Sequence, residues 1–120
     1  MAERARPPED IAPVEFFTRW VPEAVAADPD RRRRLGETRA VLQFELEGEG
    51  GGVYTLRVAE GTAAGEVGPS EAPDLRVRVD VETWRALNRG DMSAPEALLR
   101  RRVHLHGSFL LALKLHLILG

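Results

Sequence analysis

The residues from Phe109 to Leu119 are apolar on nearly every side of a helix. Phe109, Leu110, Leu111, Leu113, Leu115, Leu117, Ile118 and Leu119 leave only Ala112, Lys114 and His116 between them, and Ser108 stands in front as an N-cap. A surface helix needs one apolar stripe. A helix that is apolar all round is buried, oligomeric or set against an apolar ligand. The run is well short of the roughly 20 residues that cross a bilayer, so it is no transmembrane segment. Something must therefore cover more of this helix than one sheet can.

The chain has 120 residues. That is the size of one domain, which buries about 65% of the surface its unfolded form exposes. Upstream of the last helix the hydrophobic pattern changes period several times. Pro13 to Asp28 places Phe17, Trp20, Val21, Ala24 and Val25 at helical spacings, and Asp28-Pro29 ends that helix. Arg31-Arg32-Arg33-Arg34, closed by Gly36, reads as a solvated turn or short helix face, with a phosphate or headgroup contact as the alternative. In Arg39–Glu47, Leu42, Phe44 and Leu46 alternate with Gln43, Glu45 and Glu47, and Val53–Val58 groups Tyr54, Leu56 and Val58. With the glycine-rich turn Gly48–Gly52 between them, these two strands form a hairpin. Thr62–Val67 reads as a short third strand, and Leu75, Val77 and Val79 form a fourth with one wet face. Asp80 caps a helix carrying Val81, Trp84 and Leu87, stopped by Gly90. Ser93-Ala94-Pro95-Glu96 launches a short helix through Leu98 and Leu99. Arg102–Gly107 is a last strand with Val103 and Leu105 inward and His104 and His106 outward. This order predicts an α+β fold with helices covering one face of a mostly antiparallel sheet. Residues 1–12, polar and proline-containing without an apolar core, read as a flexible leader rather than a signal peptide, and 13–120 as the domain.

The net charge of −2 offers no general attraction for nucleic acid. With no cysteine, disulfides, thiolate catalysis and thiolate-held zinc are excluded, and a reducing, cytoplasmic setting fits. His104 and His106 lie two apart without an acidic partner at motif spacing, so no metal site is expected. Gly48–Gly52 lacks the Lys-Ser/Thr of a phosphate loop, and Gly-x-Ser-x-Gly is absent. The carboxylates are scattered on polar faces. No catalytic residues, metal or cofactor are expected, and the chain does not read as an enzyme.

In this order the residues resemble the sterol-carrier-protein-2 (SCP2) family. Phe16-Phe17 in the first helix, Leu42-Gln43-Phe44-Glu45-Leu46 before a glycine turn and Val53-Tyr54-Thr55-Leu56, Pro73-Asp74-Leu75, Trp84, Leu87-Asn88-Arg89-Gly90 and Val103-His104-Leu105-His106-Gly107 followed by Ser108–Leu115 carry the likeness. Where the family often has Gly-Lys entering the last strand, this chain has Arg101-Arg102. The resemblance implies a five-stranded sheet with helices on one side, and an apolar tunnel that holds a sterol, fatty acid, acyl-CoA or phospholipid without a cofactor.

The residues expected to touch such a lipid are Phe17, Trp20, Phe44, Trp84, Leu87, Leu98, Leu110, Leu113 and Leu117. Arg57, Arg78 and Arg102 are candidates to pair with an anionic head. The expected partner is a hydrophobic small molecule, with transient membrane contact but no nucleic acid. The rival reading is an interaction module, in which the apolar C-terminal helix buries its extra face in a homodimer or against an enzyme.

Overall fold

The computed structural model describes the backbone of residues 6–119 and side chains through residue 116. Helix α1 (Pro13–Glu15) runs through a π-helical segment (Phe16–Trp20) into α2 (Val21–Ala27), and α3 (Pro29–Leu35) follows at once. The strands are β1 (Ala40–Glu47), β2 (Gly52–Ala59), β3 (Thr62–Val67), β4 (Leu75–Asp80) and β5 (Val103–Gly107). Helices α4 (Val81–Arg89) and α5 (Ala94–Leu99) separate β4 from β5, and α6 (Phe109–Leu119) closes the chain. The five strands form one sheet in the order β3-β2-β1-β4-β5. All neighbours are antiparallel except β1 and β4, which run parallel.

The helix expected over Pro13–Asp28 is interrupted, and its sequence says why. Pro22 has no N–H to offer, and in a regular α-helix its ring crowds the carbonyl four residues back. The chain widens just before it: the Val21 N–H reaches back five residues to the Phe16 carbonyl. Opposite this segment lies Gly65 of β3, where a Cβ would come 1.9 Å from the Phe17 carbonyl oxygen. Only glycine lets the π segment lie so close on the sheet. In the stretch read as a leader, Ile11 is buried beside Phe17 and Trp84, and Arg85 donates to the carbonyls of Glu9 and Ile11.

Asp28 both ends α2 and caps α3, its carboxylate accepting from the N–H groups of Asp30 and Arg31. Asp80 caps α4 and Ser93 caps α5 in the same way. Asp74 ties three elements together. Its carboxylate accepts from Val41 N at 2.7 Å, its N–H donates to Val41 O at 2.8 Å, and its carbonyl accepts from Ser108 N at 3.1 Å. Gly107 makes the last contact feasible, since a Cβ there would lie 2.3 Å from the Asp74 carbonyl, and its φ of +121° suits glycine. The start of α6 is thereby fixed against the entry to β4.

The inward row Leu42, Leu56, Val58 and Leu75 packs with Val21, Val25, Leu35 and Leu115 to form one end of the core. Ile11, Phe17, Leu46, Tyr54, Val79 and Trp84 form the other. The helices cover this face, and Arg57, Arg76, Arg78, His104 and His106 are exposed on the other.

Candidate functional site: an apolar cavity between sheet and helices

Between the two ends of the core the covering helices do not meet the sheet. A row across three strands, Phe44 of β1, Val77 of β4 and Leu105 of β5, is paired residue by residue. All three lie on the covered face, yet each is only half-buried. Their neighbours two residues along β4, Leu75 and Val79, are buried at 1% and 3% exposure. The difference is a cavity of about 450 Å³ above the row. This lies within the roughly 300–1,000 Å³ usual for small-molecule sites.

The aromatic end of the cavity is built by the π segment. Phe16 and Trp20 stack with centroids 5.5 Å apart, and Phe16 meets Trp84 edge-on at 5.2 Å. Phe17 packs against Phe44 at 4.7 Å and Tyr54 at 5.1 Å. The walls are completed by Leu87 of α4, Ala94, Pro95 and Leu98 of α5, and Phe109, Ala112 and Leu113 of α6. Among the described residues, Arg31, Asn88 and His116 are the polar ones that reach the lining, and no carboxylate, thiol or hydroxyl side chain joins them. Among the described residues no group of three His, Cys, Asp or Glu could hold a metal ion.

Seven of the nine residues expected to touch a lipid come together here: Phe17, Trp20, Phe44, Trp84, Leu87, Leu98 and Leu113. Leu110 does not. It is 78% exposed, on the side of α6 turned away from the cavity. Phe109, Ala112, Leu113 and His116 occupy the cavity side instead, at the i, i+3, i+4, i+7 spacing of one helix face. Leu117 lies beyond the described side chains. Phe16 and Phe109 are further lining residues.

Arg31 corrects the reading of the arginine run. Arg32, Arg33 and Arg34 are exposed, and Arg33 and Arg34 pair with Asp30. Arg31 is 3% exposed and lines the cavity. Its Nε lies 3.7 Å from the Asp28 carboxylate, so its charge is balanced where it enters the apolar wall. The signal was in the spacing. Arg31 stands four residues before Leu35 and so shares the buried face of α3. The other candidate anchors do not reach the lining, and pair elsewhere: Arg57 with Glu66, Arg78 with Glu47, Arg102 with Asp80.

A model of the SCP-2 sterol transfer family matches residues 21–120. The chain belongs to that family. Solved structures agree on the SCP2 fold. Palmitated SCP2L2 from Aedes aegypti superposes with a TM-score of 0.69 at 24% identity, covering 89% of this chain and 94% of that one. The ubiquinone-synthesis protein UbiJ-SCP2 gives 0.62 at 16% identity, covering 82% and 81%. The inverting sec-alkylsulfatase Pisa1 from Pseudomonas sp. gives 0.68 at 18% identity over 90% of this chain, but the match spans only 16% of the enzyme. A search of curated proteins finds no match. Among the described residues no helix of this SCP2 domain is long and apolar enough to cross a membrane.

Proposed function

We propose that this SCP2 domain binds one hydrophobic small molecule in the cavity and performs no chemistry on it. The observation that carries the reading is a void of about 450 Å³, walled by apolar side chains from the sheet, the π segment and helices α2, α4, α5 and α6. Burying ten methylenes contributes about 8 kcal/mol before ordering costs, enough to approach micromolar affinity without a polar anchor. The family match and the palmitated relative support a lipid or a single acyl chain as the ligand.

Arg31 refines the class. It brings a buried guanidinium to the wall of α3, and α3 packs against α6, whose His116 also reaches the lining. A carboxylate or phosphate head fits that end and the chain fits the aromatic end, because a guanidinium pairs with either anion. The reading places the domain in the cytoplasm, which the absence of cysteine supports.

Displacement of a fluorescent fatty acid tests this. Fatty acid should displace the probe more strongly than the fatty alcohol of equal length, and Arg31→Met should abolish that preference while leaving alcohol binding in place. No displacement by either compound would overturn the reading. An unchanged acid preference in the variant would remove Arg31 from it.

A further inference from the structure

Asn88 lines the cavity from α4, one turn beyond Trp84 on the same helix face. The polar side chains around it on α4 are engaged elsewhere. Thr83 donates to the Asp80 carboxylate, Arg85 to the carbonyls of Glu9 and Ile11, and Arg89 to Asp91. Among the described residues the Asn88 carboxamide has no hydrogen-bond partner. It is not needed to close the helix either. Gly90, in the left-handed conformation, gives its N–H to the carbonyls of Ala86 and Leu87, and the Asp91 N–H bonds to Ala86. Leucine at this position would extend the apolar wall and suit a helix better. Asparagine runs against both local preferences, and such positions mark function.

The place of Asn88 in the cavity says what it meets. Trp84 belongs to the aromatic end of the core, which rests on the paired residues Leu46 and Val79. Arg31, one turn before Leu35, belongs to the other end, which rests on the pair Leu42 and Leu75. These two pairs are four residues apart along β1 and β4, about 13 Å of strand. The cavity thus offers a cation from one end and a neutral amide from the other, with apolar wall between. A plain hydrocarbon chain laid against the amide would strip its water and replace none of the lost hydrogen bonds. A hydroxyl or keto oxygen on the chain would replace them. A carboxamide both donates and accepts, so it serves either oxygen, and it has no charge to draw a second anion.

We propose that Asn88 selects an oxygenated acyl chain, with the anionic head at Arg31 and a neutral hydroxyl or keto group on the chain toward the aromatic end. This rests on the cavity being a site for a hydrophobic molecule whose head meets Arg31. A wholly apolar cavity would reject a hydroxylated chain at every position. This one rejects it everywhere except beside Asn88.

Displacement of a fluorescent fatty acid by stearate and by a set of monohydroxystearates, differing only in the position of the hydroxyl, tests the proposal. In the wild type one isomer, or a few adjacent ones, should displace the probe about tenfold more strongly than stearate, because a buried amide is satisfied instead of left unpaired. The remaining isomers should be weaker than stearate. In Asn88→Leu that advantage should vanish, while stearate binds at least as well as before. Asn88→Ala, which removes the amide without adding bulk, should lose the advantage too. Retained stearate binding in either variant separates lost selectivity from lost structure. A wild type that binds stearate and ranks every hydroxylated isomer below it would overturn the proposal and leave the cavity reading in place. So would a hydroxyl preference that survives both variants. A wild type from which neither stearate nor any isomer displaces the probe would overturn both.

Discussion

Replacing Val77 with phenylalanine asks directly whether the space above the sheet is empty. Val77 is at the centre of the half-buried row Phe44–Val77–Leu105 and points into the cavity. In a close-packed core, adding this much side chain forces neighbours off their rotamers and costs about 1–3 kcal/mol. Over a void the sign reverses. Phenylalanine adds four carbons to valine, and at about 0.8 kcal/mol for each buried carbon the gain is bounded near 3 kcal/mol. The cavity is partly open to solvent, its lining residues Phe109 and Leu113 on α6 remaining exposed, so about half of that, near 1.5 kcal/mol, is the expected stabilisation. It should raise the thermal midpoint by about 5 °C or more and the urea midpoint in proportion, with an unchanged m-value. The same four carbons displace a matching length of acyl chain, so fatty-acid affinity should fall by about 100-fold. Paired measurements of urea unfolding and fatty-acid displacement read both numbers. A variant destabilised by 1 kcal/mol or more would refute the reasoning, because it would mean that the row is packed and no space awaits a ligand.

Gly65→Ala should cost about 2–3 kcal/mol in urea unfolding, because its Cβ would strike the Phe17 carbonyl, a backbone atom that cannot swing aside. Since the π segment holds Phe16, Phe17 and Trp20 at the cavity, acyl-chain binding should weaken with it. Asp80→Ala should cost about 1 kcal/mol at neutral pH through loss of the α4 cap, measured by thermal melts. Burial raises the Asp80 pKa, but hydrogen bonds from the Thr83 hydroxyl and N–H, with Arg102 nearby, outweigh it and hold the carboxyl below its ordinary value. A depressed pKa gives stability that is complete above the unfolded-state value and is lost as pH falls through the folded one. The difference between wild type and variant should therefore narrow below about pH 4.

The strands and caps were legible in the sequence because they rest on local chemistry. Alternation gave β1, β2 and β4 their faces, and Asp80, Ser93 and Ser108 each accept the backbone N–H that a cap predicts. The parallel pairing of β1 with β4 was not legible, since periodicity fixes a face and says nothing of the neighbour. The π segment was signalled by Pro22 but hidden by an otherwise regular helical spacing. In α6 the obstacle was the composition itself. A helix apolar on all sides has no stripe to say which face turns inward, so Leu110 was as plausible a lining residue as Phe109 until the Ser108–Asp74 contact fixed the helix rotation. Arg31 was masked by the three exposed arginines that follow it.

The central claim is that the cavity is a site for one hydrophobic molecule. Its most direct measurement is native mass spectrometry of the delipidated chain mixed with palmitate, beside the Val77→Phe variant under the same conditions. A single added mass corresponding to one fatty acid in the wild type, saturating at a micromolar concentration and largely lost in the variant, is the predicted result. A folded wild type that takes up no fatty acid, or one whose uptake is untouched by filling the cavity, would contradict it.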